Sequence, residues 1–435
     1  MKKWIALFMS LVLTLGLCAC GGKEASQPQA TQITQAPETT EAAATFQVGF
    51  GRVNITPSPN TGVQMGGYKD QVSTGLLSYI YATCVAITDA EGNSLLLYTL
   101  DITDMDKAAS DALRAKLTEE TGIPGENITL SCTHTHSGPS KGWLNDAVEP
   151  LAKAAEEALA DRAPATAQIG SYDVPDMNWD RHYKMKDGSI AGDNYGNRSA
   201  GFEDQYSDAD KTMRLIRFVR EGDKKDVLMV NWQVHPKLTS TADTEEGKAT
   251  RTLFSSDFIG YSRDLVESKE DVLVAYYNGA SGNVNPFSKL EAERNIVSKD
   301  GRVYGEQFGE HIIKALANLK PVETGNVAAK TKPLVDGPFE LHAYNVGSSL
   351  GFAIVPAEIF HQTGTQIREG SPYEMTFVIT CANGRNTYIP IQEAWDYPTS
   401  DGSIAYEVSI CRYDKGTAEL LAKDLSDMLT ALAGN

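Results

Sequence analysis

Apolar and polar residues begin to alternate at Phe46, Val48 and Phe50, followed by Val53 and Ile55, until Thr56-Pro57-Ser58-Pro59 breaks the run. That pattern predicts a first strand. Tyr79 to Thr88 and Leu95 to Leu100 flank Asp89-Ala90-Glu91-Gly92-Asn93 and predict a hairpin. Asp101-Ile102-Thr103-Asp104 then supplies a helix cap, with apolar positions at Ala108, Leu113 and Leu117 and a stop at Gly122 and Pro124. Asn127 to Leu130 is a short β-branched strand, and an alanine-rich helix covers Leu151 to Ala160. Thr212 to Arg220 and Asp226 to Val234 pair around Glu221-Gly222-Asp223. A helix near Phe258 to Ser268 leads into Val272-Leu273-Val274-Ala275-Tyr276-Tyr277, a continuous apolar run typical of a central strand. Further helices are expected near Val303 to Leu319, Ile359 to Glu369 and Thr417 to Leu432.

Strand and helix alternate without a repeat period. The class that follows is α/β, with a mixed β-sheet core flanked by helices. No shift in composition marks a second domain after residue 46, so residues 46–435 are expected to form one catalytic-sized domain.

The N-terminus reads differently. Lys2 and Lys3 precede an apolar run from Trp4 to Leu17, which is short for a membrane span and fits the core of a signal peptide over residues 1–19. Leu17-Cys18-Ala19-Cys20-Gly21 resembles a bacterial lipobox, and cleavage before Cys20 would leave a lipidated cysteine at the new N-terminus. Residues 20–45 are rich in Gln, Thr, Ala, Pro, Ser and Glu, and are expected to be a flexible linker. The expected location is the bacterial cell surface, with the membrane engaged through the lipid anchor. A net charge of −18 argues against nucleic acid as a partner. Beyond the lipobox stand Cys84, Cys132, Cys381 and Cys411, with no CxxC spacing, and their pairing is left open.

Chemistry concentrates at strand ends. Ser131-Cys132-Thr133-His134-Thr135-His136-Ser137-Gly138-Pro139 places two of the chain's seven histidines at a strand-to-loop edge. In extended chain their side chains would share a face, roughly 6.5–7 Å apart. One could then hold a metal while the other reaches a water or the substrate. The plainer alternative is a pair of hydrogen-bonded structural imidazoles. Cys132 is a further soft donor, but its position toward the core favours a buried, inert thiol. His235 ends the strand Val230-Asn231-Trp232-Gln233-Val234 and meets Pro236 at once; Glu358 follows Gly351 to Ala357. Glu358 could equally cap a helix. Phe377 to Gly384 leads to Tyr388, which alone would suggest only packing. Asn278 to Pro286 is a Gly/Asn-rich loop whose amides could hold an oxyanion or merely turn the chain.

Taken in order, Thr133 to Pro139, Val234-His235-Pro236, Ser255 to Tyr261, Gly282-Asn283-Val284-Asn285-Pro286, Pro356-Ala357-Glu358, Asn383-Gly384 through Tyr388-Ile389-Pro390, and Ala405-Tyr406-Glu407 resemble the neutral/alkaline (non-lysosomal) ceramidase family. The resemblance runs from about Phe46 to the final helix. It implies a zinc amide hydrolase that cleaves a small-molecule or lipid N-acyl substrate with zinc-activated water. By motif match, His134, His235, Glu358 and Tyr388 would be the zinc ligands and His136 the base or acid. An arginine for the substrate carbonyl would be Arg181 or Arg198, with Arg181 preferred. Where the family carries a serine proposed as nucleophile or water-positioner, this chain has Asn285, which leaves the zinc-water route. The chain ends after its last helix, so the family's C-terminal immunoglobulin-like domain is not expected. The competing readings are a solute-binding surface lipoprotein, which would need no such donor set, and a family relative acting on a different N-acyl or ester substrate.

Overall fold

The computed structural model describes residues 45–58, 61–67, 71–140, 143, 148–239, 249–290, 300–335 and 337–434. The expected signal peptide, Cys20 and nearly all of the linker lie outside these residues. Among the described residues, no helix is long and apolar enough to cross a membrane.

The larger of two main sheets contains β1 (Gln47–Asn54), β2 (Tyr81–Thr88), β3 (Ser94–Leu100), β4 (Ile128–Cys132), β5 (Ala163–Asp173), β6 (Thr212–Arg220), β7 (Asp226–Trp232) and β8 (Val272–Asn278). Their spatial order is β8-β7-β6-β5-β1-β2-β3-β4, with the short β9 (Lys320–Val322) added on β5. The second sheet follows chain order: β10 (Val327–Pro333), β11 (Glu340–Val346), β12 (Leu350–Ile354) and β13 (Met375–Ile379). The longer helices among the described residues are α1 (Lys107–Thr121), α2 (Val148–Ala160), α3 (Asp257–Lys269), α4 (Gly301–Leu316), α5 (His361–Glu369) and α6 (Thr417–Ala433). The architecture is therefore mixed α/β, as the alternating pattern predicts.

Strand periodicity sorts the core. On β2, Val85 and Ile87 join a cluster shared with Tyr344, Phe352 and Phe377 of the second sheet, so the two sheets pack on each other. Cys84 and Ala86, pointing the other way, pack with Leu113 of α1 and Ala154 of α2. Residues of β6, β7 and β8 likewise bury one face under α3 and α4, and the second sheet lies under α5 and α6.

Among the described residues, three strand pairs in the main sheets are parallel: β3 with β4, β7 with β8, and β12 with β13. Each is joined by a helix, α1, α3 or α5, giving three βαβ units. β4 and β8 are opposite edges of the large sheet, yet the sheet curls until the edges meet. Thr99 of β3 donates to the Tyr276 carbonyl at 2.5 Å, and the Tyr277 hydroxyl donates to the Leu97 carbonyl at 2.8 Å. Asn231 of β7 reaches the Val378 carbonyl of β13 at 3.0 Å. The carboxyl ends of the three units consequently face one place, which is where open α/β sheets bind ligands.

One local expectation is corrected. Asp101 to Asp104 do not cap α1; Asp106 sits at the N-cap, without a side-chain cap bond. Asp101 instead accepts from Arg263 at 3.0 Å and Asp104 from Arg385 at 2.9 Å, both long-range ion pairs.

Candidate metal centre

His134 lies two residues beyond β4, where the strand has already ended. The extended geometry expected for His134 and His136 is not what forms, because His134 adopts φ +68°. A left-handed non-glycine residue costs on the order of 1 kcal/mol and needs compensation. The His134 amide donates to the Ile102 carbonyl at 3.0 Å, and Nδ1 lies 2.7 Å from the Thr103 carbonyl. The turn brings the His134 and His136 rings to a centroid distance of 5.0 Å, nearly perpendicular, instead of parallel side chains on one face.

His235, beyond β7, is held in the same manner. Its Nδ1 lies 2.8 Å from the Ser281 carbonyl in the loop after β8. A carbonyl can only accept, so Nδ1 carries the hydrogen in both residues and Nε2 presents its lone pair inward. Glu358 and Tyr388, beyond β12 and β13, sit directly opposite each other in a two-residue parallel ladder. This register pairing sets the carboxylate beside the phenol.

These side chains converge. Glu358 Oε2 lies 3.1 Å from His134 Nε2 and 3.2 Å from His235 Nε2, and the Tyr388 hydroxyl is 3.2 Å from His235 Nε2. His134 Nε2 and Glu358 Oε2 are close, yet both are buried without a hydrogen bond of acceptable geometry. Buried polar atoms aimed at one point and left unbonded are what a set of metal donors looks like. Donor atoms of His134, His136 and His235 all lie within 4.8 Å of one another. Two or three imidazoles with a carboxylate and a phenol suit zinc. The residues present therefore fit the group.

His136 differs from the other two histidines in being only half-buried. Gly67 lies against it: a Cβ at this glycine (φ +78°) would come 2.8 Å from His136 Nδ1. Burial, then the neighbouring His134 and His235 rings, push its pKa well below the usual histidine value. Burial works against the ionised form of Glu358 as well, but His134 and then Arg385 outweigh it and hold its pKa well below the carboxylate range.

Arg385 has no role in the sequence reading. It donates from Nη1 to Glu358 Oε1 at 2.7 Å and from Nε to Asp104 Oδ2 at 2.9 Å. Asp104 neighbours Thr103, whose carbonyl orients His134, so one arginine links two donors. The signal available was its place between Asn383-Gly384 and Tyr388; nothing local reveals the carboxylates it meets.

Of the two substrate-arginine candidates, the structure brings Arg181 to the centre. Its guanidinium carbon is 5.3 Å from the Tyr388 ring centroid, and Nε donates to Glu407 Oε1 at 2.7 Å. Arg198 instead binds the backbone carbonyls of Gly192 and Asp193. Asn285 is fully buried and its amide donates to Asp193 Oδ2 at 2.6 Å. The four cysteines in the described residues are free, and Cys132 is buried as expected.

Comparison with known proteins points one way. Residues 46–292 match the family model described as neutral/alkaline non-lysosomal ceramidase, N-terminal. A neutral ceramidase of Drosophila pseudoobscura pseudoobscura is 30% identical over 107 residues, which is 24% of this chain and 15% of that protein's length. Among solved structures, neutral ceramidase from Pseudomonas aeruginosa superposes with a TM-score of 0.70 at 17% identity, covering 90% of this chain and 75% of that one. A ceramidase complexed with C2 gives a TM-score of 0.67 at 16% identity, covering 90% and 76%. At those identities the structural likeness concerns the fold.

Proposed function

The chain belongs to the neutral/alkaline non-lysosomal ceramidase family, and from that premise we propose that it is a zinc-dependent amide hydrolase acting on an N-acyl, ceramide-like compound. The observation that carries this reading is the convergence of His134 Nε2, His235 Nε2, Glu358 Oε2 and the Tyr388 hydroxyl, with both Nδ1 atoms spent on carbonyls. These four side chains would hold the ion. When bound, zinc supplies Lewis acidity, polarising the amide carbonyl and lowering the pKa of a water to about 7.

Overall, water adds across the amide: a C–O bond forms at the acyl carbon, the C–N bond breaks, and a proton is delivered to the departing nitrogen. His136, partly open to solvent and beside His134 and His235, carries that proton. Arg181 faces Tyr388 and is fixed by Glu407, so its guanidinium can meet the substrate carbonyl without reorganising. Asn285 cannot serve as a nucleophile, and its bond to Asp193 gives it a positioning role.

The test is metal analysis with turnover on purified protein. His134→Ala should lose both zinc and hydrolysis of an N-acyl amide. His136→Ala should keep zinc and lose turnover by roughly 10²–10⁴-fold. Full zinc content in His134→Ala would refute the ligand set, and a wild type that never takes up zinc would favour a solute-binding lipoprotein.

A further inference from the structure

Arg181 separates two short strands, Trp179–Asp180 and His182–Met185, so Asp180, Arg181 and His182 follow one another at a single junction. Glu407, on the one-turn helix Tyr406–Ser409, meets two of them. Its Oε1 accepts from Arg181 Nε at 2.7 Å, and its Oε2 lies 3.2 Å from His182 Nε2. On the other side of the imidazole, Nδ1 lies 3.5 Å from Asp180 Oδ1. All four residues are buried.

We propose that His182 is a positioning residue for amide hydrolysis: it stands as an imidazolium between Asp180 and Glu407, and by fixing the second oxygen of Glu407 it holds the Arg181 guanidinium toward the substrate carbonyl. The proposal rests on the amide-hydrolase reading and adds a residue to the machinery of that site.

Geometry calls for the charge. A neutral imidazole carries one N–H and one lone pair. With the hydrogen on Nε2, that group donates to Glu407, but the Nδ1 lone pair faces the Asp180 carboxylate. With the hydrogen on Nδ1, the lone pair faces Glu407 instead. Either tautomer sets a lone pair against an anion, whereas the imidazolium turns an N–H to both. Nδ1 makes no hydrogen bond of acceptable geometry, so its attraction to Asp180 is electrostatic. Two carboxylates against one guanidinium would also leave a buried negative charge in excess, which is costly; the imidazolium balances it.

The surroundings keep the arrangement rigid and dry. Asp180 accepts from the His182 amide at 3.0 Å, from Asn283 at 3.3 Å and from the Ser207 hydroxyl, and His361 Nε2 lies 3.0 Å from that hydroxyl and 3.8 Å from Asp180 Oδ2. The rings of Phe360, Tyr195 and Tyr397 stand 5.4, 5.6 and 5.6 Å from the imidazole, with Tyr206 at 6.4 Å. Burial lowers the His182 pKa, but Glu407 and then Asp180 outweigh it and raise it, with Arg181 opposing them. A carboxylate gripped at both oxygens cannot rotate, and that fixity passes to the guanidinium it holds.

The experiment uses zinc-loaded protein labelled with ¹⁵N-histidine and ¹⁵N-arginine. In the wild type one imidazole should stay doubly protonated at about pH 8, where an ordinary imidazole, of pKa about 6.5, is neutral. Glu407→Gln should abolish that signal. His182→Gln keeps a donor but no charge, and should retain zinc while the Arg181 Nε proton exchanges at least about tenfold faster. It should lower kcat/KM on an N-acyl amide about tenfold, yet cost less than about twofold in a Glu407→Gln background, because the two residues act as one unit. No doubly protonated ring at that pH, zinc loss in His182→Gln, or losses that multiply in the double variant would overturn the proposal. Should His182→Gln fail to fold, the wild-type and Glu407→Gln spectra decide the charge of the ring, and a ring neutral in both overturns it. Should none of these proteins cleave an amide, the hydrolase reading fails instead. Proton exchange at Arg181 then decides the positioning role, and an unchanged rate in His182→Gln would end it.

Discussion

Glu358 and Glu407 are both buried, and each is gripped by one arginine, yet they end in opposite states. Arg385 takes Oε1 of Glu358 at 2.7 Å, leaving Oε2 aimed at two imidazoles without a hydrogen bond. Arg181 takes Oε1 of Glu407 at 2.7 Å, and His182 Nε2 lies 3.2 Å from Oε2. One carboxylate keeps a donor in reserve and the other spends both. The difference teaches that a buried ion pair marks a metal centre only when one oxygen is left over. When both are consumed, the pair fixes a neighbour instead, here the guanidinium of Arg181.

The sharpest break between the two comes from removing charge while keeping shape. Glu358→Gln should lose most bound zinc and at least ~100-fold of hydrolysis, because a neutral amide replaces an anionic donor. Glu407→Gln should retain its zinc and lose activity mainly through KM and kcat, as Arg181 loosens. Metal content and kinetics on the same preparations decide it. Equal zinc loss in both would end the distinction.

A smaller effect is expected one bond further out. Arg385→Met should weaken zinc binding by about 10–100-fold, the range for groups that orient a metal ligand, and Arg385→Lys should restore part of it. The visible spectrum of the cobalt-substituted protein reads the same change in donor geometry without turnover. An unaltered spectrum and affinity in Arg385→Met would show that Glu358 is positioned by the ladder with Tyr388 alone.

How far the chain itself discloses this contrast depends on which forces are local. His235 was legible because an imidazole at the end of an apolar strand, followed at once by proline, is hard to place in a core. The helices at Lys107–Thr121 and Thr417–Ala433 were legible from periodicity and their stops. β5 was not, since its Ala, Thr, Gln, Gly and Ser side chains are mostly half-exposed and give no clean alternation. The turn at His134 was also hidden: φ +68° is enforced by carbonyls of Ile102 and Thr103, some thirty residues away. Arg385 and Glu407 could be read only as members of longer motifs, because their partners lie 27 to 281 and 225 to 226 positions distant.

The last expected effect concerns acid. Burial raises the Glu407 pKa, but Arg181 and then His182 outweigh it and bring it down to about 2, below an ordinary 4.5. Between those values the unfolded chain binds a proton that the folded chain refuses, so the stabilisation is complete above about pH 4.5 and drains away as pH falls toward 2. Its size is roughly 3 kcal/mol. His182 behaves oppositely: burial lowers its pKa, but Glu407 and Asp180 win and raise it, so its share is full at low pH and lost as pH rises through that higher value. Glu407→Gln should therefore be less stable than wild type at pH 6, with the gap in urea midpoint closing steadily between pH 4.5 and pH 2. A gap that stays constant over that interval would mean that Glu407 is not held as an anion by its partners, and its kinship with Glu358 as an arginine-bound carboxylate would fail.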